Sequence, residues 1–113
     1  MGSTVPEQWK KQVCLILDSG DRRNIIIRQR ALNDWSALFP ALFVYDLINA
    51  LSNALREPDV IGNQVLFMQE QGETYEFIFT YSGTRIYSKI NLAPSGQVVI
   101  IYSAHRPLKG ETL

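Results

Sequence analysis

Between Pro6 and Ser19 the apolar residues Trp9, Val13, Ile16 and Leu17 recur at the three-and-four spacing of one helix face, with Gly20 just past the end. The spacing predicts an amphipathic helix, with Thr4 and Glu7 as its candidate cap. Asn24-Ile25-Ile26-Ile27-Arg28 is a β-branched run and reads as a short strand or extended segment. Arg30 to Leu38, anchored by Trp35 and Leu38, fits either a helical turn or a loop. Pro40 opens a longer segment in which Val44, Leu47, Ile48, Leu51 and Leu55 mark one face and Asp46, Asn49, Ser52 and Arg56 the other. This is a second helix, ending near Arg56 and before Pro58.

After Pro58 the period changes from helical to alternating. Asn63 to Gln69, Thr74 to Tyr81, Arg85 to Asn91 and Gln97 to Ser103 form four β-like runs. Gln71-Gly72-Glu73, Ser82-Gly83-Thr84 and Pro94-Ser95-Gly96 separate them, and connections this short make neighbouring strands antiparallel. The expected fold class is α+β: N-terminal helices packed on a four-stranded, mainly antiparallel C-terminal sheet. Residues 1–5 are expected to be a disordered start or cloning remnant, and residues 6–113 a single domain.

The last two runs carry the polar residues that matter most. Shifting a strand by one residue moves every side chain to the other face, so register decides whether those residues work together. A glycine bulge at Gly96 pairs Lys89 with Ile101, Tyr87 with Ser103 and Arg85 with His105. Arg85, Tyr87, Lys89, Ser103 and His105 then share one face, and Ile86, Ile90, Val98, Ile100 and Tyr102 share the other. Without the bulge, Lys89 pairs with Ile100 and the set scatters.

Composition narrows the class. A chain of 113 residues, 46% hydrophobic and 19% charged, is ordinary for one globular domain. No apolar run approaches the roughly 18 residues of a membrane helix, and no basic-then-apolar signal opens the chain, so no membrane partner and a cytoplasmic location are expected. The single cysteine, Cys14, lies in the apolar run Val13 to Leu17 and reads as a small buried hydrophobe. One histidine and one cysteine make no zinc constellation. Net charge is zero, against a strong nucleic-acid binder, but its distribution is uneven. Arg22, Arg23, Arg28 and Arg30 form one basic segment and Arg85, Lys89, Arg106 and Lys109 another, while Asp59, Glu70, Glu73 and Glu76 collect elsewhere. Brought together, the basic segments hold phosphates; otherwise they are solvated or paired with nearby carboxylates.

The proposed sheet face suits one reaction. Cleaving RNA by attack of the 2′-hydroxyl needs a group to take that proton, one to protonate the leaving 5′-oxygen, and cations for the phosphorane. No metal is required, so no cofactor is expected. Imidazole is the side chain that titrates near neutrality, which makes His105 the candidate general acid or base. Lys89 and Arg85 supply charge, Arg85 with a fork that fits two phosphate oxygens. Tyr87 and Ser103 orient the scissile group or stack on a base.

Helices followed by an antiparallel sheet whose last strands carry Arg85, Tyr87, Lys89 and His105 resemble the RelE-like mRNA interferase toxins of bacterial toxin–antitoxin systems, and within them the MqsR branch. Lys11 to Gly20 is similar to the opening helix and turn of that branch, Phe43 to Leu51 to its central helix, and Tyr87 to Ile101 to its closing strands. The resemblance implies that Lys89 and Tyr87 match the family's basic and tyrosine positions. It implies that Arg85 and His105 match the cationic and acid/base positions of the wider superfamily. It further implies RNA, on or off the ribosome, and a cognate antitoxin as partners. Trp35 and Phe39 are candidate contacts for such a partner, with core packing as the alternative for both and the favoured one for Trp35. The chain departs from the family in being neutral where such toxins are usually basic.

Two other readings stay open. One is a non-enzymatic protein-binding module, an inhibitor or adaptor, which zero net charge and the acids of residues 57–76 fit. The other is a small-ligand domain using Tyr75, Phe77 and Phe79.

Overall fold

The alternating runs after Pro58 do build a sheet, and it gains a strand at each edge from the N-terminal part of the chain. The structure, a computed structural model, describes residues 3–108 and Glu111. The elements are β1 (Ser3–Thr4), α1 (Glu7–Ser19), β2 (Ile25–Ile27), α2 (Gln29–Leu38), α3 (Val44–Arg56), β3 (Ile61–Val65), β4 (Glu73–Tyr81), β5 (Thr84–Leu92) and β6 (Val99–His105). The sheet is six-stranded and mixed, in the order β1-β3-β4-β5-β6-β2. All neighbours are antiparallel except β2, which joins the free edge of β6 in parallel. The α+β class holds, and the four-stranded antiparallel sheet becomes the centre of a larger one.

The helices cover one face. Tyr75, Phe77 and Phe79 alternate towards them, and Trp9 of α1 meets Tyr75 edge-on with ring centroids 5.0 Å apart. Trp35 of α2 is 1% exposed and packs 5.3 Å from Tyr81, so it is core. Val13, Leu17, Leu47, Leu51 and Leu55 join α1 and α3 to the same cluster. A polar seam closes this contact from outside: the Cys14 thiol donates to the Ser52 carbonyl, the Ser52 hydroxyl donates to Asp18, and Arg56 pairs with Asp18. Burial raises the Cys14 pKa, as fits a packed thiol rather than a nucleophile. Tyr75 and Phe77, two of the three aromatics suggested for a ligand site, are buried core, while Phe79 lines an open cleft with Ala50, Ala54, Val60 and Tyr81.

Several boundaries differ from the sequence expectation. Ser3–Thr4 pairs with Ile61 and Gly62 of β3 and Val5 is 1% exposed, so residues 3–5 belong to the packed domain. Met1 and Gly2 lie outside the described residues. Close approach here depends on Gly62, where a Cβ would stand 2.3 Å from the Glu76 carbonyl oxygen. The α1 helix starts at Glu7 behind Pro6, with no side-chain cap from Thr4. Residues 29–38, open between turn and loop, are a full helix, and α3 begins at Val44 rather than at Pro40. There the Asp46 carboxylate accepts the Phe43 N–H at 2.7 Å and caps the helix start. The first β-like run, expected over Asn63 to Gln69, is a strand only over Ile61–Val65 and continues as a loop to Gly72. Among the described residues, no helix is long and apolar enough to cross a membrane.

Candidate functional site

The face turned away from the helices is built by alternation within β4, β5 and β6. The loop Ser82-Gly83 has positive φ at both residues, 50° and 79°, the turn geometry that matches strand twist. It locks Tyr81 opposite Thr84, and counting back sets Ile78 opposite Tyr87, Glu76 opposite Lys89 and Thr74 opposite Asn91. Thr74, Glu76, Ile78, Tyr87, Lys89 and Asn91 line the outer face.

The β5–β6 register differs from the expected one. Gly96 does adopt a positive φ of 72°, in a turn closed by its N–H on the Ala93 carbonyl, but no bulge arises there. The irregularity lies further along, where Ile90 pairs with Ile101 and Lys89 with Ser103, leaving Tyr102 as the extra residue. Lys89 therefore faces Ser103 rather than Ile101, and Tyr87 faces His105 rather than Ser103. Inward residues on β6 are Val99, Ile101 and Ala104, not Val98, Ile100 and Tyr102. Straight alternation from Val99 and Ile101 would send Ser103 and His105 into the core. The bulge at Tyr102 turns them to the other face of the sheet, where Ser103 is 6% and His105 9% exposed.

The structure thus brings Tyr87, Lys89, Ser103 and His105 onto one face as two directly opposed pairs. Arg85 shares that face but pairs with Thr80 on β4, and β6 ends at His105 opposite Tyr87, so Arg85 is not across from His105. It is an exposed cation one step beyond the imidazole.

The rings of Tyr87 and His105 stack with centroids 5.2 Å apart and planes 27° from parallel. His105 Nδ1 lies 2.7 Å from the Arg106 carbonyl oxygen. A carbonyl only accepts, so Nδ1 carries the proton and the neutral ring presents the Nε2 lone pair. Glu111 Oε1 stands 3.8 Å from the same nitrogen. Only 11% of the His105 side chain is exposed.

Around this pair lie groups that the sequence reading did not assign. The Tyr87 hydroxyl donates to Glu76 Oε1 at 2.6 Å, and burial with the Glu76 carboxylate pushes its pKa well above the ordinary phenol value. Counting from the Ser82-Gly83 turn finds Glu76; nothing local marks the Tyr102 bulge. The Tyr102 hydroxyl donates to Glu70 Oε1 at 2.5 Å, and Arg28 Nη2 donates to Glu70 Oε2 at 3.2 Å. Burial and Glu70 likewise raise the Tyr102 pKa. The Arg28 guanidinium and the Lys89 ammonium each lie 5.7 Å from the Tyr102 ring centroid.

The first basic segment is largely paired. Arg23 meets Asp21, Arg28 meets Glu70 and Arg30 approaches Asp34. In the second, Arg85 and Arg106 are exposed, Lys89 is half-buried, and Lys109 lies outside the described residues. Of the first segment, Arg28 meets the face of Lys89 through Tyr102, and the charge of Arg30 reaches Tyr87 on the same face.

No family model matches the chain, and no curated protein or solved structure matches it at a significant level.

Proposed function

We propose that this sheet face binds single-stranded RNA and cleaves it by attack of the 2′-hydroxyl on the adjacent phosphodiester, as a toxin of the mRNA interferase kind would. The observation that carries the reading is the opposed pair of pairs: Tyr87 with His105, and Lys89 with Ser103. His105, fixed as the Nδ1–H tautomer by the Arg106 carbonyl, takes the 2′-hydroxyl proton at Nε2. Lys89 neutralises the charge that develops on the phosphorane, and its ammonium carries the proton the leaving 5′-oxygen needs. Ser103, opposite Lys89, donates to a phosphate oxygen. Tyr87 holds the imidazole plane by stacking, with its hydroxyl anchored on Glu76. Arg85 draws the phosphate chain towards the site from beyond His105.

The test is RNA cleavage in EDTA by the purified chain, with product ends read for 2′,3′-cyclic phosphate. His105→Asn and Lys89→Ala each lose about 100-fold or more in rate with unchanged circular dichroism. Undiminished cleavage in both variants removes the assignment.

A protein-binding module is the second reading, and its support lies on the helical side. Phe43 is 75% exposed and Tyr45 51% at the start of α3, with Leu15 of α1 60% exposed. A chain that cleaves no RNA and binds none at low salt, yet is captured by a partner through Phe43, favours it.

A further inference from the structure

The loop between β3 and β4 carries a feature that the proposed chemistry does not use. Phe67 is 101% exposed and holds φ at 63°, a backbone conformation that bulky side chains rarely adopt. An aromatic ring held outward by strained backbone gives the chain no packing in return. The loop is nevertheless tied down three residues later, because Glu70 accepts from both Tyr102 and Arg28. Phe67, Met68, Gln69 and Glu70 line an open cleft of about 640 Å³ whose far wall is Arg28 and Tyr102. That size lies within the roughly 300–1,000 Å³ of small-ligand clefts.

The cleft adjoins the reaction site. Tyr102 is the bulged residue next to Ser103, and the Lys89 ammonium approaches its ring. Three residues of strand, about 10 Å, separate Tyr102 from His105. Arg28 donates to Glu70 and also reaches the Tyr102 hydroxyl, and with its side chain 47% exposed, part of the guanidinium faces solvent beside the cleft. An exposed aromatic face next to two cations is the chemistry of a stacked nucleobase with its phosphate.

We infer that Phe67, Arg28 and Tyr102 form a nucleotide subsite flanking the His105 cluster, in which Phe67 stacks on an unpaired base and Arg28 binds that nucleotide's phosphate. Glu70 acts as a positioning residue, holding the loop on β6 so that Phe67 stands at the rim. The inference rests on the RNA-cleaving reading and names what holds the strand beside the scissile bond. Stacking tolerates any base, so the subsite contributes affinity and strand placement more than sequence choice.

The probe is a fluorescein-labelled 2′-O-methyl oligouridylate, which lacks the attacking hydroxyl and stays intact during titration. Binding is measured at several salt concentrations. Phe67→Ala weakens it about tenfold without changing its salt slope, and Phe67→Trp restores it. Arg28→Ala weakens it and lowers the slope by about one. Phe67 is fully exposed, so its truncation leaves the fold intact. A wild-type chain that binds and cleaves, with Phe67→Ala equal to it in affinity, overturns the subsite and leaves the nuclease standing. A wild-type chain that does not bind the probe at low salt overturns both.

Discussion

His105 lies directly across the β5–β6 ladder from Tyr87, and the two rings stack 5.2 Å apart because the bulge at Tyr102 turns the last residues of β6 outward. The tyrosine also reaches Glu76 on the third strand of the set, so one side chain links three strands. Its ring and its hydroxyl therefore have separable effects. Tyr87→Phe keeps the stack and is expected to cost about 1–2 kcal/mol through the lost hydrogen bond to a carboxylate. Tyr87→Ala removes the buried ring as well and costs about 3–5 kcal/mol. Urea unfolding of the two variants, compared with the native chain, measures the difference.

Trp35 is core, the use the sequence favoured for it over a partner contact: it packs between Phe39 and Tyr81, with its indole N–H on the Phe43 carbonyl. Trp35→Ala is expected to destabilise the domain by about 3–5 kcal/mol. A folded variant with the native urea midpoint would contradict this packing.

Ser88 points inward between Phe77 on β4 and Ala104 on β6, fully buried, and its hydroxyl finds no partner among the described residues. An unpaired hydroxyl in an apolar core costs about 1–3 kcal/mol, and alanine fills the site without one. Ser88→Ala is expected to stabilise the fold by about 1 kcal/mol, seen as a higher urea midpoint with an unchanged slope.

Alkali should weaken the fold. Tyr87 and Tyr102 have folded pKa values raised above 10.0, first by burial and then by their carboxylate partners, and Cys14 is raised above 9.0 by burial. Each raised acid binds its proton more tightly folded than unfolded, so its stabilisation is complete below the unfolded value and fades as pH rises past it. Unfolding midpoints should hold up to about pH 9 and decline above that. Tyrosinate absorbance from Tyr87 and Tyr102 should appear only with unfolding. A midpoint that rises between pH 9 and 11 would contradict the assignment.

The repeating patterns were legible in the sequence. Helical periodicity in Trp9, Val13, Leu17 and in Leu47, Leu51, Leu55 locates α1 and α3, and alternation in Tyr75, Phe77, Phe79 locates the inner face of β4. The Ser82-Gly83 turn even fixes a register, which places Glu76 beside Lys89. Short pieces were only partly legible. The β-branched run around Ile25–Ile27 reads as a strand and is one, but Ser3–Thr4 is too short to show a pattern, and which edges the two pieces join, β3 and β6, was set by the fold.

The chain's own order of apolar and polar residues determined α1, α3 and the four central strands, and that Arg85, Tyr87 and Lys89 share one side of their strand, since these follow from local backbone periods. Which residues of β6 stand beside them was decided only in the assembled sheet. The extra residue at Tyr102 reverses the alternation midway along the strand, and its place is set by packing Val99, Ile101 and Ala104 against the helices while Tyr102 bonds Glu70 on the other side. A bulge is a compromise between two faces, and both faces exist only in three dimensions.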